Sequence, residues 1–163
     1  MPLIATGTVV DSSDLYASKG WTTFKPQFKG AGTPPSLGST GSATRIQAGR
    51  YIHIGNICDY QFTFQCGTGS TGDGVSFYNV TLPVKSAPLS GSTRGTVIGS
   101  GFLRTSTGND NYTLTALDAA AASTILYLAV TDLTGTFVAA NIPQTGWWGA
   151  GARLGGSVRY ATT

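Results

Sequence analysis

Strict alternation of apolar and polar side chains is clearest between Cys58 and Cys66, where Cys58, Tyr60, Phe62, Phe64 and Cys66 interleave with Asp59, Gln61, Thr63 and Gln65. A period of two predicts a β-strand with one buried face. The preceding run, GRYIHI, ends at Gly55-Asn56, and both residues tolerate the positive φ of the primed turns that match strand twist. The stretch therefore predicts a hairpin in which Ile54 faces Ile57, His53 faces Cys58, Ile52 faces Asp59 and Tyr51 faces Tyr60. If the aromatic face lies in the core, Ile52, Ile54 and Ile57 gather on the opposite face. Either a partner subunit covers them, or a bulge at the turn returns them to the core.

Further strand signals follow at short intervals. VSFYNVTLPV puts Tyr78, Val80, Leu82 and Val84 on one parity, with Pro83 near a strand end where a missing donor is tolerated. TVIGSGFLR, NYTLTAL, STILYLAV, GTFVAANI and GGSVRY read as additional strands separated by turn residues. ALDAAAAS is the one helix candidate and is too short for more than a single turn. Between Trp21 and Arg45, Pro- and Gly-rich interruptions predict short strand pieces in irregular loop. Residues 1–20 have no helical periodicity and read as an extended arm carrying Leu3, Ile4, Val9 and Val10. The expectation is an all-β chain: an extended N-terminal arm over residues 1–20, then one antiparallel β-sandwich or jelly-roll-like barrel over residues 21–163.

Composition fits this picture. Charged residues are 10% of the 163, Glu is absent, and Gly, Ser and Thr abound, as expected of a β-protein with hydroxyl-bearing solvent faces. The formal charge of +3 comes from scattered Lys and Arg without a basic run, which argues against nucleic acid as a partner. MPLIATGTVV lacks the build of a secretory signal, and ILYLAV is too short to span a bilayer, so the expectation is cytoplasmic synthesis without membrane partners. Cys58 and Cys66, about 26 Å apart on one strand at ~3.3 Å per residue, are not expected to bridge.

Candidate chemistry is sparse. GTGSTG at Gly67 to Gly72 has the spacing of a dinucleotide-binding loop, but the sequence continues as strand where a helix must start, so a hairpin loop is the better reading. His53 opposite Cys58 resembles a nucleophile and base without an orienting third group, and a packed, hydrogen-bonded histidine is expected. Cys66 is too distant to complete a metal site with them. Asp59 points outward on a strand while Asp73 and Asp110 sit in turns, so no carboxylate pair of glycosidase type is nominated. No residue is assigned a catalytic, cofactor or metal role. Trp21, Trp147 and Trp148 suit core or subunit packing more often than sugar stacking, and the Trp147-Trp148 pair puts one ring on each strand face.

In order along the chain, KPQFKGAGTPPSLG, GRYIHIGN, QFTFQCGTGSTGDG, TLPV and IPQTGWWGAGARLGGSVRYATT resemble a β-module of tailed bacteriophages, found in minor tail and tail-fibre-tip proteins of phages of Gram-positive hosts. The resemblance runs from about Trp21 to the C-terminus and lacks the acidic residue often seen after the Gly that follows the family's Trp. It implies a trimeric virion-surface module without catalytic residues, whose receptor contacts sit in variable loops. The expected partners are two further copies of the chain and the major capsid or tail proteins, with host surface carbohydrate as the alternative partner. No shaft-forming repeat is present, which slightly favours capsid decoration, while the resemblance itself favours a tail position. The residues assigned to assembly are Leu3, Ile4, Val9 and Val10 in the arm and Ile52, Ile54 and Ile57 in the hairpin.

Overall fold

A computed structural model describes residues 20–29, 36–39, 41, 44–71, 79–87, 97–106, 111–117, 123–131, 137–138 and 149–163. The expected arm, with Leu3, Ile4, Val9 and Val10, lies outside the described residues, as do Trp147 and Trp148.

The hairpin forms in the register its turn dictates. Strands β3 (Ile46–Ile54) and β4 (Ile57–Gln65) pair without interruption from Ile46↔Gln65 to Ile54↔Ile57, so no bulge intervenes. Gly55 has φ of 59° and no described non-glycine residue has positive φ, so the turn places its positive-φ residue at the first central position, as type II′ turns do. The Asn56 carbonyl accepts the Thr162 amide at 2.8 Å, which pins the chain end to the turn.

Around this hairpin the other strands are β1 (Thr22–Phe24), β2 (Phe28–Lys29), β5 (Asn79–Thr81), β6 (Val97–Arg104), β7 (Asn111–Leu117), β8 (Ile125–Thr131), β9 (Phe137–Val138) and β10 (Arg153–Ala161). All pairings are antiparallel, in the order β1-β3-β4-β10-β6-β7-β8-β5-β2, with β9 beside β8. The two strands at the ends of this path, β1 and β2, are consecutive in sequence. One short segment therefore turns a corner at Lys25-Pro26-Gln27 and joins both edges of the sheet. Pro26 suits the corner because it has no N–H to leave unpaired, and its carbonyl accepts from the Gln47 side-chain Nε2 at 2.7 Å. The result is an all-β sandwich made from one rolled sheet.

The alternation seen in the sequence selects the core. Cys58, Tyr60, Phe62, Phe64 and Cys66 are buried, packed with Val80, Leu103, Leu126, Leu128, Leu154, Val158 and Tyr160. The corner segment seals this core from both sides. The Phe24 ring meets Tyr60 edge-on at 5.8 Å, and Phe28 lies 4.1 Å from Phe64, centroid to centroid. Such aromatic pairs add about 0.5–1.5 kcal/mol beyond their buried area.

Some local features depart from the sequence pattern. A register shift between Val97 and Gly99 interrupts the β6–β7 ladder, turning Ile98 toward the core and leaving Val97 61% exposed. Ala116 and Leu117, the start of the expected helical turn, end strand β7, and the remainder up to Ser123 lies outside the described residues.

Candidate functional site

Side chains on the outer face of β3, β4, β10 and β6 fall into cross-strand rows fixed by the register. At the turn end, Ile54, Ile57 and Ala161 form an apolar row, with Ile57 38% exposed and the other two half-buried. The next row is Ile52, Asp59 and Arg159. Here Arg159 donates to both Asp59 oxygens, at 2.6 and 2.8 Å, in a bidentate pair. Ile52 is only 2% exposed although it lies outside the connected core. This corrects the expectation that all three hairpin isoleucines stand open to a neighbour: Ile52 is covered within the single chain, leaving Ile54 and Ile57.

Farther from the turn, Arg50, Gln61, Ser157 and Ser100 share a row, then Ala48, Thr63, Gly155 and Phe102, then Ile46, Gln65, Arg153 and Arg104. A shallow groove of about 400 Å³ opens here, lined by Thr23, Ala48, Gly49, Arg50, Gln61, Phe62 and Thr63. The local sequence explains it, because Ala48 puts only a methyl on the outer face of β3 between the taller Ile46 and Arg50. Arg50 forms one wall. Its Nε donates to Gln61 Oε1 at 2.8 Å, and its guanidinium carbon sits 4.8 Å from the centre of the Trp21 ring, which is 40% exposed.

The other sequence candidates resolve into structural roles. His53 does oppose Cys58, but its Nε2 is hydrogen-bonded to Thr162 Oγ1 at 2.9 Å. Burial raises the Cys58 thiol pKa above its ordinary value, with the Tyr160 hydroxyl opposing in part. A raised pKa leaves the thiol protonated, the reverse of what a nucleophile requires. Burial likewise pushes Cys66 up to about 12, and both cysteines are free thiols. Tyr160 and Tyr60 are raised as well, mainly by burial, and the Tyr160 hydroxyl donates to the Val84 carbonyl at 3.0 Å.

The glycine-rich loop is also occupied. Gly67 and Thr71 donate their amides to Leu37 and Ser36, and Ser39 donates to Thr68, so the loop is clasped to the Ser36–Ser39 segment. Those amides are not free to cradle a phosphate. Asp73 and Asp110 lie outside the described residues.

The rows define the class of site: an open face of sheet, apolar at the turn end and basic at the other. No protein-family model matches the chain, and comparisons with curated proteins and with solved structures give no match.

Proposed function

We propose that the chain is a structural module on the surface of a tailed-phage particle. In this reading it joins two further copies of itself through the turn-end row of the hairpin and mounts on the virion, in the first instance on the capsid, through residues 1–20. Attachment to other protein is its task, and it performs no reaction. A tail position is the alternative mounting.

The observation that carries this reading is the Ile54–Ile57 pair. These are cross-strand partners on the outer face, beside Ala161, with Ile57 38% exposed. Full burial of an aliphatic side chain contributes on the order of 1.5–3 kcal/mol, so covering the 38% of Ile57 that is exposed contributes roughly 1 kcal/mol before ordering costs, and the row supplies one part of a subunit contact. Sedimentation of the wild type and of Ile57→Asp tests it. A trimer for the wild type and a monomer with unchanged circular dichroism for the variant are expected. A wild type that sediments as a monomer at tens of micromolar, or a variant that stays trimeric, refutes it.

A further inference from the structure

We propose that the end of the outer face far from the turn binds an anionic polysaccharide, a saccharide chain bearing carboxylate or phosphate groups. The inference goes beyond the assembly reading and does not rest on it, since no residue of the Ile54–Ile57–Ala161 row takes part.

The first observation is a like-charge pair. Arg153 and Arg104 are direct cross-strand partners on β10 and β6, and both are exposed. Like charges directly opposite destabilise a sheet. Neither guanidinium has an acidic partner among the described residues, where Asp59 is the sole side-chain carboxylate and is held by Arg159. Among the described residues no carboxylate offsets this pair, whereas an anion between the two guanidiniums would meet planar donors from both sides.

One row inward, Phe102 stands opposite Gly155. Its ring atoms Cε1 and Cζ lie 3.0 and 3.3 Å from where a Cβ of Gly155 would be, so the ring lies across the bare glycine. It remains 47% exposed. A flat aromatic face next to donors is what the C–H face of a sugar ring packs against, the apolar side on the ring and the hydroxyls toward polar groups. Beyond it, Thr63 and Ala48 form a low floor leading to Arg50 and Gln61. Arg50 is already ordered by Gln61 and Trp21, so its remaining N–H groups present donors at little further entropy cost.

From β3 to β6 this strip crosses about 14 Å at ~4.8 Å per strand, the scale of a short oligosaccharide. The cations are too few and too widely spaced to follow a duplex that carries a charge every ~1.7 Å.

Binding of the full chain to polygalacturonate, poly(glycerol phosphate), neutral dextran and single- and double-stranded DNA, in low and high salt, tests the proposal by biolayer interferometry. At least one anionic polysaccharide is expected to bind, at least tenfold tighter than dextran, and more weakly in high salt; the two anionic probes separate carboxylate from phosphate recognition. The double variant Arg104→Gln/Arg153→Gln should lose at least tenfold in affinity while melting at or above the wild-type temperature, because it relieves the like-charge contact. Phe102→Leu, which keeps cover over Gly155, should lose several-fold, whereas Lys85→Gln should bind as wild type. Failure of both anionic polysaccharides to bind at millimolar repeat units, DNA binding as tight as theirs, or full affinity in the Arg104/Arg153 variant would overturn it.

Discussion

Replacing Gly101 by Ala tests how closely the last strand is inserted into the sheet. Gly101 lies on β6 opposite Gly156 of β10, and an added Cβ would fall on the Gly155 carbonyl oxygen and 2.7 Å from the Gly156 Cα. The second distance is about 1 Å inside ordinary carbon–carbon contact. Both obstacles are backbone, so no rotamer change relieves them and the strands must part. A parting of about 1 Å takes ladder bonds of ~2.9 Å beyond hydrogen-bonding range. Two lost bonds cost about 1 kcal/mol each. Loosening the fully buried Leu103 against its cross-strand partner Leu154 adds about 1–3 kcal/mol of packing. The expected loss is therefore about 3–5 kcal/mol, a large share of the ~5–15 kcal/mol typical of a domain. Urea unfolding followed by circular dichroism should show the midpoint falling by about 1.5–2.5 M at an m-value near 2 kcal/mol/M. Ser100→Ala, on the exposed face of the same strand, should stay within about 0.5 kcal/mol. A Gly101→Ala protein equally close to wild type would refute the close approach of β6 to β10.

The buried thiols give a second test, because Cys66 keeps its proton up to about 12 in the folded state whereas an unfolded thiol releases it near 9. Its contribution is complete below pH 9 and is lost as pH rises toward 12, by up to about 1.4 kcal/mol per pH unit, so urea midpoints at pH 7, 9 and 10.5 should fall more steeply for the wild type than for Cys66→Ala. Parallel pH profiles would contradict the burial. Both thiols should also react with a disulfide reagent at pH 8 only once urea unfolds the chain. Asp59→Asn should cost no more than about 1 kcal/mol, since the Arg159 side chain is largely exposed, and the difference should shrink in 1 M salt; a loss well above this would mean the pair is shielded from solvent.

The hairpin was legible because its determinants are local. Gly55-Asn56 fixes the register, and alternation from Cys58 to Cys66 selects the buried face, so sequence and structure agree there pair by pair. The closing corner was not legible. Strands as short as β1 and β2 show no period, and only their pairing with β3 and β5 reveals that Phe24 and Phe28 seal one core. The basic strip was hidden for a topological reason. Arg104 and Arg153 become neighbours because β10 inserts between β4 and β6, a pairing that no local signal encodes. Phe102 likewise reads as one more alternating strand residue until Gly155 is placed beneath it.

The row order bears on how one face can serve both attachment and capture. Along β4 the apolar end at Ile57 and the basic end at Gln65 are separated by about 26 Å at ~3.3 Å per residue. That is some three Debye lengths at physiological ionic strength, where the screening length is about 8 Å. A contact centred on Ile54 and Ile57, as proposed, would therefore lie beyond the screened reach of the Arg104–Arg153 charges of the same subunit. The charged row nearest that contact is already neutralised, because Asp59 holds Arg159. On the proposed reading, assembly through the turn end would leave the Arg104–Arg153 row of each subunit open and would act on affinity through avidity. Ile57→Asp accordingly affects polymer binding through valency, with per-site contacts intact, and Arg104→Gln/Arg153→Gln weakens each site without changing the sedimenting species. The two readings fail separately, which an interface overlapping the groove would not allow.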